Sequence, residues 1–225
     1  MGTGTVLAVC AAGRDVVLKG IGPSAIDKRA LSGRAEVGAL GLVADHQRNR
    51  RHHGGVDQAV YAYSEPEARR WSEELGRELP YGWFGENLRI DGIGVSDAHV
   101  GEQWRVGDDG LVLEVTIPRV PCRTFAEWAG EPRWVKRFMN RADFGAYLRV
   151  LRPGTVAAGD TVEVIHRPGH GVTARHLLIG TDPDALRTLL AADDLPAKVR
   201  REATRILARS APLDDAAGQG AAHNL

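Results

Sequence analysis

Short apolar or alternating segments separated by glycines dominate the chain from residue 5 to about residue 165. They are TVLAVCA, DVVLKGI, AEVGALGLVA, QAVYAY, ENLRI, EQWRVG, LVLEVTIPRV, YLRVL and DTVEVIHR. Segments of this length, rich in valine and leucine and bounded by glycine, are typical of the strands of an all-β barrel or sandwich. The pattern therefore predicts a mainly β domain over residues 1–170.

Two segments within this region have helical periodicity instead. In SEPEARRWSEELGREL, Ser64 and Glu67 have the spacing of a capping box, and Pro66 falls in the first turn. Three apolar residues then share one face of the helix: Ala68, Trp71 and Leu75. PRWVKRFMNRADFGAYL is a second candidate helix. We therefore expect short helical insertions in the β domain.

The character of the sequence changes after about residue 170. DPDALRTLLAADDLPAKVRREATRILARS predicts two short helices, one starting at Asp182 and Pro183 and one at Pro196. An apolar stripe on the first comprises Leu186, Leu189 and Leu190. We expect a small helical domain over residues 171–210, which packs against the barrel or mediates a contact. Residues 211–225 have too little apolar content to fold and predict a flexible tail.

Composition and charge argue against several classes of function. The 225 residues are 43% hydrophobic and 26% charged, which suffices for one sizeable core. Basic and acidic residues number 29 each, so no overall field attracts nucleic acid or an anionic membrane. No apolar run approaches the ~18 residues of a membrane span, and the first residues lack the basic segment of a secretion signal. We expect a cytoplasmic protein that binds neither nucleic acid nor membranes.

The two cysteines have different sequence environments. Cys10 lies within an apolar segment and is expected to be a small buried residue of the first strand. Cys122 lies in TIPRVPCRTF, where two prolines deny the strand its amide hydrogens and should leave the cysteine at a rim. Arg119 and Arg123 beside it favour the thiolate. Its surroundings alone are compatible with an inert residue, a nucleophile or the ligand of a cofactor's metal; zinc is disfavoured because no paired ligands have zinc-site spacing.

Three loops carry candidate ligand-binding residues. RNRRHHGGVDQAVYAY combines arginines, histidines and a glycine pair before a strand, which suits an anion-binding loop and equally a solvated basic turn. The candidates in the other two loops are Glu86 and Asn87 in YGWFGENLRIDG, and Ser24 and Lys28 in SAIDKRALSG. Neither a Walker loop nor a dinucleotide fingerprint occurs in the chain.

Taken together in this order, six segments resemble the MOSC domain, the family related to the C-terminal domain of molybdenum-cofactor sulfurase. They are SAIDK, GLVADHQRNRRHHGGVDQAVYAY, FGENL, VGEQWRVG, LEVTIPRVPC and YLRVLRPGTVAAGDTVEV, and the resemblance covers about residues 5–168. It is closest to the stand-alone bacterial branch linked to resistance to 6-hydroxylaminopurine and similar N-hydroxylated bases. The C-terminal helices resemble the three-helix domain that this branch appends. The family fold, a β-barrel-like domain, agrees with the strand pattern.

The resemblance implies a molybdenum-cofactor enzyme that reduces N-hydroxylated compounds such as hydroxylaminopurines. Cys122 matches the family's cysteine and is implied as the protein ligand of molybdenum. The residues implied to hold the cofactor are Ser24, Lys28, Arg50, Arg51, His53, Asn87 and Arg119. His53 is also a candidate proton donor, which Asp57 or Glu86 would orient. The same resemblance implies binding of pyridoxal phosphate.

The resemblance also implies partners and leaves alternatives. The chain has no flavin, haem or iron–sulfur motif, so its electrons are expected from a separate reductase. The helical domain is a candidate docking surface or the contact of a homodimer. The alternatives are a sulfur carrier or cofactor-binding module with a persulfide on Cys122, a metal-free thiol enzyme with His53 as base, and a purely structural role. Where the family has a Gly-Asp pair, this chain has Ala44 and Asp45, which would alter the placement of Asp45 if the glycine adopts a positive φ.

Overall fold

The computed structural model describes residues 2–46, 48 and 54–210. Three of the predicted site residues, Arg50, Arg51 and His53, lie outside the described residues, and so does the predicted tail. The strands are β1 Thr3–Ala11, β2 Val16–Leu18, β3 Gly22–Ser24, β4 Arg29–Ala30, β5 Ala35–Gly38, β6 Gly41–Leu42, β7 Val60–Ser64, β8 Leu88–Asp91, β9 Gln103–Val106, β10 Leu111–Val115, β11 Ala146–Arg152, β12 Gly154–Val156 and β13 Thr161–His166.

Seven of these strands close into a barrel in the order β13, β9, β10, β11, β7, β8 and β1, and β1 pairs back with β13. All neighbours are antiparallel except β7 and β8, which run parallel and need a long crossover between them. Strands β5, β6 and β12 form a separate small sheet, and β2 and β3 form a hairpin. The prediction of a mainly β fold is confirmed.

The barrel interior is filled by the apolar positions of the alternating segments. In β9, for example, Trp104 and Val106 are fully buried while Arg105 between them is exposed. The indole Nε1 of Trp104 donates to Glu102 Oε1 at 2.8 Å, so the polar atom of this large buried ring is satisfied. β10 is assigned only to Val115, but hydrogen bonds to the β11 segment continue, with Thr116 N donating to Tyr147 O at 2.9 Å and Ile117 O accepting from Tyr147 N at 2.8 Å. Pro118 follows directly and has no N–H to donate.

The helices are α1 Glu65–Leu75, α2 Arg123–Ala129, α3 Trp134–Arg141, α4 His176–Ile179, α5 Pro183–Leu190 and α6 Ala197–Ser210, with a 3-10 turn at Val56–Gln58. Helix α1 forms the crossover between β7 and β8. Ser64 is its N-cap residue, but the serine side chain makes no capping hydrogen bond. The predicted capping box is therefore wrong, since the Glu67 side chain is 5% exposed and faces Arg175 instead. Asp182 does cap α5, accepting from Asp184 N at 3.1 Å.

The C-terminal helices share a hydrophobic cluster with one end of the barrel. Leu186 and Leu189 of α5 are buried in it together with Val199 of α6, and Leu190 of the predicted stripe is partly buried against it. The same cluster contains the barrel residue Tyr61. The boundary predicted at residue 170 stays a prediction, because the apolar contacts continue across it. Within the described part of the chain, every helix is too short or too polar to cross a lipid bilayer.

Candidate functional site

A pocket of about 400 Å³ lies where loops from distant parts of the chain meet at the barrel. One wall comes from the β2–β3 hairpin and the residues after it, and another from the segment that joins β10 to α2. The structure brings five of the predicted site residues together in the lining: Ser24, Lys28, Asn87, Arg119 and Cys122. Their separation in sequence is large, so the closed barrel is what assembles them.

Arg119 is the unusual charge in this pocket. The residue is 6% exposed, and its Nε has no hydrogen-bond partner. The guanidinium carbon lies 4.3 Å from the ring centre of Phe125 and 5.5 Å from that of Tyr61. Within the described residues, no ion pair joins Arg119 to a carboxylate. Because burying an uncompensated cation is costly, this arrangement favours an anion in the pocket.

Lys28 enters the pocket from a buried polar network centred on Asp45. The Lys28 ammonium lies 2.6 Å from Asp45 Oδ2, and the same carboxylate accepts from Ala12 N at 2.8 Å. Asn87 Nδ2 donates to Asp45 Oδ2 at 2.9 Å and to Cys10 O at 3.1 Å. The Nδ2 group of Asn87 is thus occupied by hydrogen bonds within the protein. Asn87 supports the pocket wall and is less available to bind a ligand. Asp45 is a site residue that we did not predict.

The substitution of Ala44 for the family's glycine leaves Asp45 in place. Among the described non-glycine residues, a positive φ occurs only at Arg133 and Ala142. The turn before Asp45 therefore uses backbone angles that alanine tolerates. The concern that Ala44 displaces Asp45 does not apply to this structure, since the carboxylate is 1% exposed and fully engaged with Lys28.

The two cysteines lie in different environments. Cys10 is fully buried in β1, as predicted, and burial raises the pKa of its thiol to about 12. Cys122 is partly exposed, lines the pocket and occupies the N-cap position of α2, where its carbonyl accepts from Ala126 N at 3.0 Å. Neither forms a disulfide. Reactivity at Cys10 is suppressed, whereas Cys122 is presented to whatever the pocket binds.

Neither Asp57 nor Glu86 lies in the pocket lining. Glu86 is fully buried, accepts from the amides of Gly82 and Phe84 at 2.9 and 3.0 Å, and pairs with Arg89. Both carboxylate oxygens are occupied, so Glu86 has a structural role here and does not orient a proton donor in the pocket. Asp57 accepts from Lys198 N at 3.1 Å at the start of α6. The placement of Glu86 corrects the role predicted for it. The role predicted for Asp57 stays a prediction, because His53, which it would orient, lies outside the described residues.

Several other pocket residues were not among the predicted site residues. His46 and Arg48 line the pocket, and both approach Asp15, with His46 Nε2 at 3.4 Å from Asp15 Oδ1. Tyr61 and Tyr147 form an aromatic wall, their ring centres 5.1 Å apart, and burial raises the pKa of both hydroxyls. Both therefore stay neutral hydroxyls at physiological pH.

Residues 49–163 match the family model of the MOSC domain. The chain belongs to the MOSC domain family. It is 33% identical over 131 residues to the uncharacterized protein YflK of Bacillus subtilis, with 58% of each chain aligned. It is 32% identical over 148 residues to a protein named reductase from Gibberella moniliformis and 30% identical over 148 residues to protein YiiM of Escherichia coli, covering 64% of this chain in both cases. The aligned parts span 26% of that reductase and 65% of YiiM, less than two thirds of either relative.

Solved structures support the fold independently. YiiM from Geobacillus stearothermophilus superimposes with a TM-score of 0.72 at 22% identity, covering 91% of this chain and 99% of that one. YiiM from Escherichia coli gives 0.67 at 23% identity, covering 93% and 94% of the two chains. Both superpositions cover more of this chain than the barrel alone, so the solved structures match most of the architecture described above.

MOSC domains are associated by family with the molybdenum cofactor, and the pocket residues fit such a group. In the described part of the chain, no cluster of three or more His, Cys, Asp or Glu side chains could hold a metal ion by itself. The pocket instead offers one cysteine, which suits a metal whose other ligands belong to a cofactor. The unpaired Arg119 and the nearby Lys28 suit a phosphate group. The described donor set therefore suits a cofactor better than a bare metal ion.

Proposed function

We propose that this protein is a molybdenum-cofactor-binding oxidoreductase that reduces N-hydroxylated compounds, such as hydroxylaminopurines, with electrons from a separate reductase. The observation that carries the proposal is the buried Arg119, which has no carboxylate partner among the described residues, in the same pocket as the partly exposed Cys122. Membership in the MOSC family and a relative named reductase support an enzymatic role. The proposed substrate and electron donor rest on the family resemblance.

The pocket residues would divide the work of holding the cofactor. Arg119 and Lys28 would bind its phosphate, with the Ser24 hydroxyl as a further donor, while Cys122 would provide the protein's sulfur ligand. Arg50, Arg51 and His53 stay predicted contributors. When bound, the cofactor would supply a metal centre that exchanges two electrons with the substrate. Binding of pyridoxal phosphate stays a prediction.

The reaction also needs protons. Conversion of R–NHOH to R–NH₂ and water consumes two electrons and two protons, and the departing oxygen must be protonated as the N–O bond breaks. His46 lines the pocket, and its Nε2 lies 3.4 Å from Asp15 Oδ1, so Asp15 would orient the imidazole. His46 is thus the proton donor that the described residues offer, in addition to the predicted His53. Arg48 also pairs with Asp15.

The decisive experiment is the molybdenum and pterin content of protein purified from a cofactor-competent host. We expect near-stoichiometric metal in wild type and a loss in Cys122→Ser and in Arg119→Met. A matched control is Arg14→Met, because Arg14 is exposed and does not line the pocket. Variants should first be compared by thermal unfolding, so that misfolding is not mistaken for lost binding.

The other outcomes lead to the alternatives. Stoichiometric sulfur transfer from Cys122 without turnover of hydroxylamines would favour the alternative of a sulfur carrier or cofactor-binding module. Turnover by metal-free protein that alkylation abolishes would favour a thiol enzyme. If cofactor-loaded wild type turns over N-hydroxylated substrate only when a reductase is added, the predicted electron-donor partner gains direct support. The predicted homodimer stays a prediction that sedimentation would test.

A further inference from the structure

Helix α6 is fastened to the turn that leads into β7. Lys198, in its first turn, donates its backbone N–H to Asp57 Oδ2 at 3.1 Å. The Lys198 ammonium donates to Gly54 O at 3.0 Å and to Gln58 Oε1. These contacts join residues at least 140 positions apart. One lysine near the C-terminus of the chain thus contacts both ends of the Gly54–Gln58 turn.

The Gly54–Gln58 turn belongs to the pocket. Gln58 lines the pocket and is 6% exposed, and its backbone N–H donates to Gly55 O at 3.0 Å. On the barrel side, Thr116 Oγ1 lies within hydrogen-bond distance of two carbonyl oxygens, Asp57 O at 2.6 Å and Tyr147 O at 3.0 Å, and its single hydrogen bridges this pair. Tyr147 is itself a pocket residue. The barrel therefore holds one side of the turn, and Lys198 holds the other.

The turn needs such an anchor because its backbone is inherently free. Gly55 adopts a φ of 88°, a conformation that glycine reaches easily but also leaves easily. The Lys198 ammonium is partly buried and has two oxygen acceptors on the turn, so its desolvation is compensated only while the turn keeps this shape. A hydrocarbon side chain of the same length would fill the space but could not donate a hydrogen bond to Gly54 O or to the side-chain oxygen of Gln58.

We propose that Lys198 is a positioning residue for the pocket, which holds the Gly54–Gln58 turn and the Gln58 side chain in their binding geometry. The C-terminal helix then forms part of the binding site through this contact. The inference rests on the proposed function only where the ligand is the molybdenum cofactor; the contact between helix and turn can be tested without it. It also explains why Asp57 lies outside the pocket, since its carboxylate receives α6.

Hydrogen exchange of the amides in residues 54–60 tests the proposal directly, in wild type, Lys198→Met, Lys198→Arg and Lys136→Met. Lys136 is an exposed lysine of α3 away from the pocket lining and serves as the control. Lys198→Met should accelerate exchange in this segment roughly tenfold, since hydrogen bonds from a charged donor are lost. Lys198→Arg keeps several donors and should restore most of the protection, and Lys136→Met should match wild type.

Two results would overturn the inference. One is unchanged exchange over residues 54–60 in Lys198→Met; the other is an equal increase throughout α6 and the barrel, which would indicate a general loss of stability. A second arm compares the molybdenum content of the same proteins, where Lys198→Met should retain several-fold less metal than Lys136→Met. If wild type carries no metal, the proposed function fails, but the exchange experiment still decides the role of Lys198.

Discussion

Two buried arginines in this protein have opposite electrostatic surroundings. Arg89 is 1% exposed and pairs with Glu86 and Glu65, and its guanidinium lies over the ring of Phe84. Arg119 is 6% exposed and also lies over aromatic rings, but no ion pair within the described residues joins it to a carboxylate. Aromatic contact is common to both, so it does not distinguish them. The counter-charge does distinguish them. Arg89 is neutralised by Glu86 and Glu65, whereas we propose that a ligand neutralises Arg119.

The difference follows from where each arginine lies in the barrel. Arg89 belongs to β8, which crosses beneath α1, and α1 contributes Glu65 to the pair. Arg119 belongs to the segment after β10, where prolines end the strand and the chain opens at the pocket wall. A charge inside the sheet must be neutralised for folding, because the desolvation penalty has no other compensation. A charge at a pocket can be neutralised by what the pocket binds.

The largest effect should come from removing the paired arginine. Arg89→Met leaves Glu86 buried without its cation and should lower the free energy of unfolding by about 3–5 kcal/mol. Arg119→Met removes an uncompensated buried charge and should leave the stability of cofactor-free protein unchanged or raise it. Urea denaturation of both variants measures the contrast. Glu86→Gln combined with Arg89→Met should recover part of the loss; equal losses in the two single variants would contradict the distinction between the arginines.

The sequence could predict the strands but not this distinction. Alternating apolar residues with glycine boundaries specify β9 and β13 directly, because a strand with one buried face has a period of two. Helix α2 was not predicted, since its seven residues are too few to establish a helical period and its N-cap is a cysteine rather than a usual capping residue.

The candidate site was predictable only in part for a similar reason. Glu86 and Asn87 are adjacent, so the motif that contains both suggested two site residues. Successive residues of an extended segment point to opposite sides, and the structure turns Asn87 to the pocket and Glu86 to Arg89. Two features of the site depend on contacts between distant segments. They are the ion pair of Lys28 with Asp45 and the lack, among the described residues, of a carboxylate partner for Arg119. The spacing of residues along the sequence predicts neither.

A buried carboxylate extends the comparison to negative charge. The pKa of Glu67 is raised to about 7, chiefly by burial and then by the nearby Asp143. A hydrogen bond with Ser96 and the charges of Arg175 and Arg70 lower this pKa by less. Its folded pKa exceeds the ordinary value of 4.5, so its contribution to stability is complete below pH 4.5 and is lost as the pH rises through about 7. We expect this group to lower the free energy of unfolding by about 2–3 kcal/mol between pH 4.5 and pH 8.

Glu67→Gln is the corresponding variant, and it should flatten the pH dependence of stability and be more stable than wild type at pH 8. Glu73→Gln, on the exposed side of the same helix, is the matched control and should keep the wild-type profile. The measurement is urea denaturation at several pH values. A Glu67→Gln profile as steep as that of wild type would assign the loss of stability to other groups. His170 would not be one of them, because burial lowers its pKa and its contribution to stability therefore rises with pH.

The smallest expected effect is also the most specific test of Arg119. Inorganic phosphate should stabilise cofactor-free wild type by on the order of 1 kcal/mol at a concentration about fivefold above its Kd, because an anion that binds only the folded state shifts the unfolding equilibrium. The gain should disappear in Arg119→Met and persist in Arg89→Met, whose destabilised fold still presents the pocket cation. Sodium chloride at matched ionic strength controls for screening. Equal stabilisation of wild type and Arg119→Met would show that phosphate binds elsewhere than at Arg119, and would contradict the role of Arg119 as the anion-binding residue of the pocket.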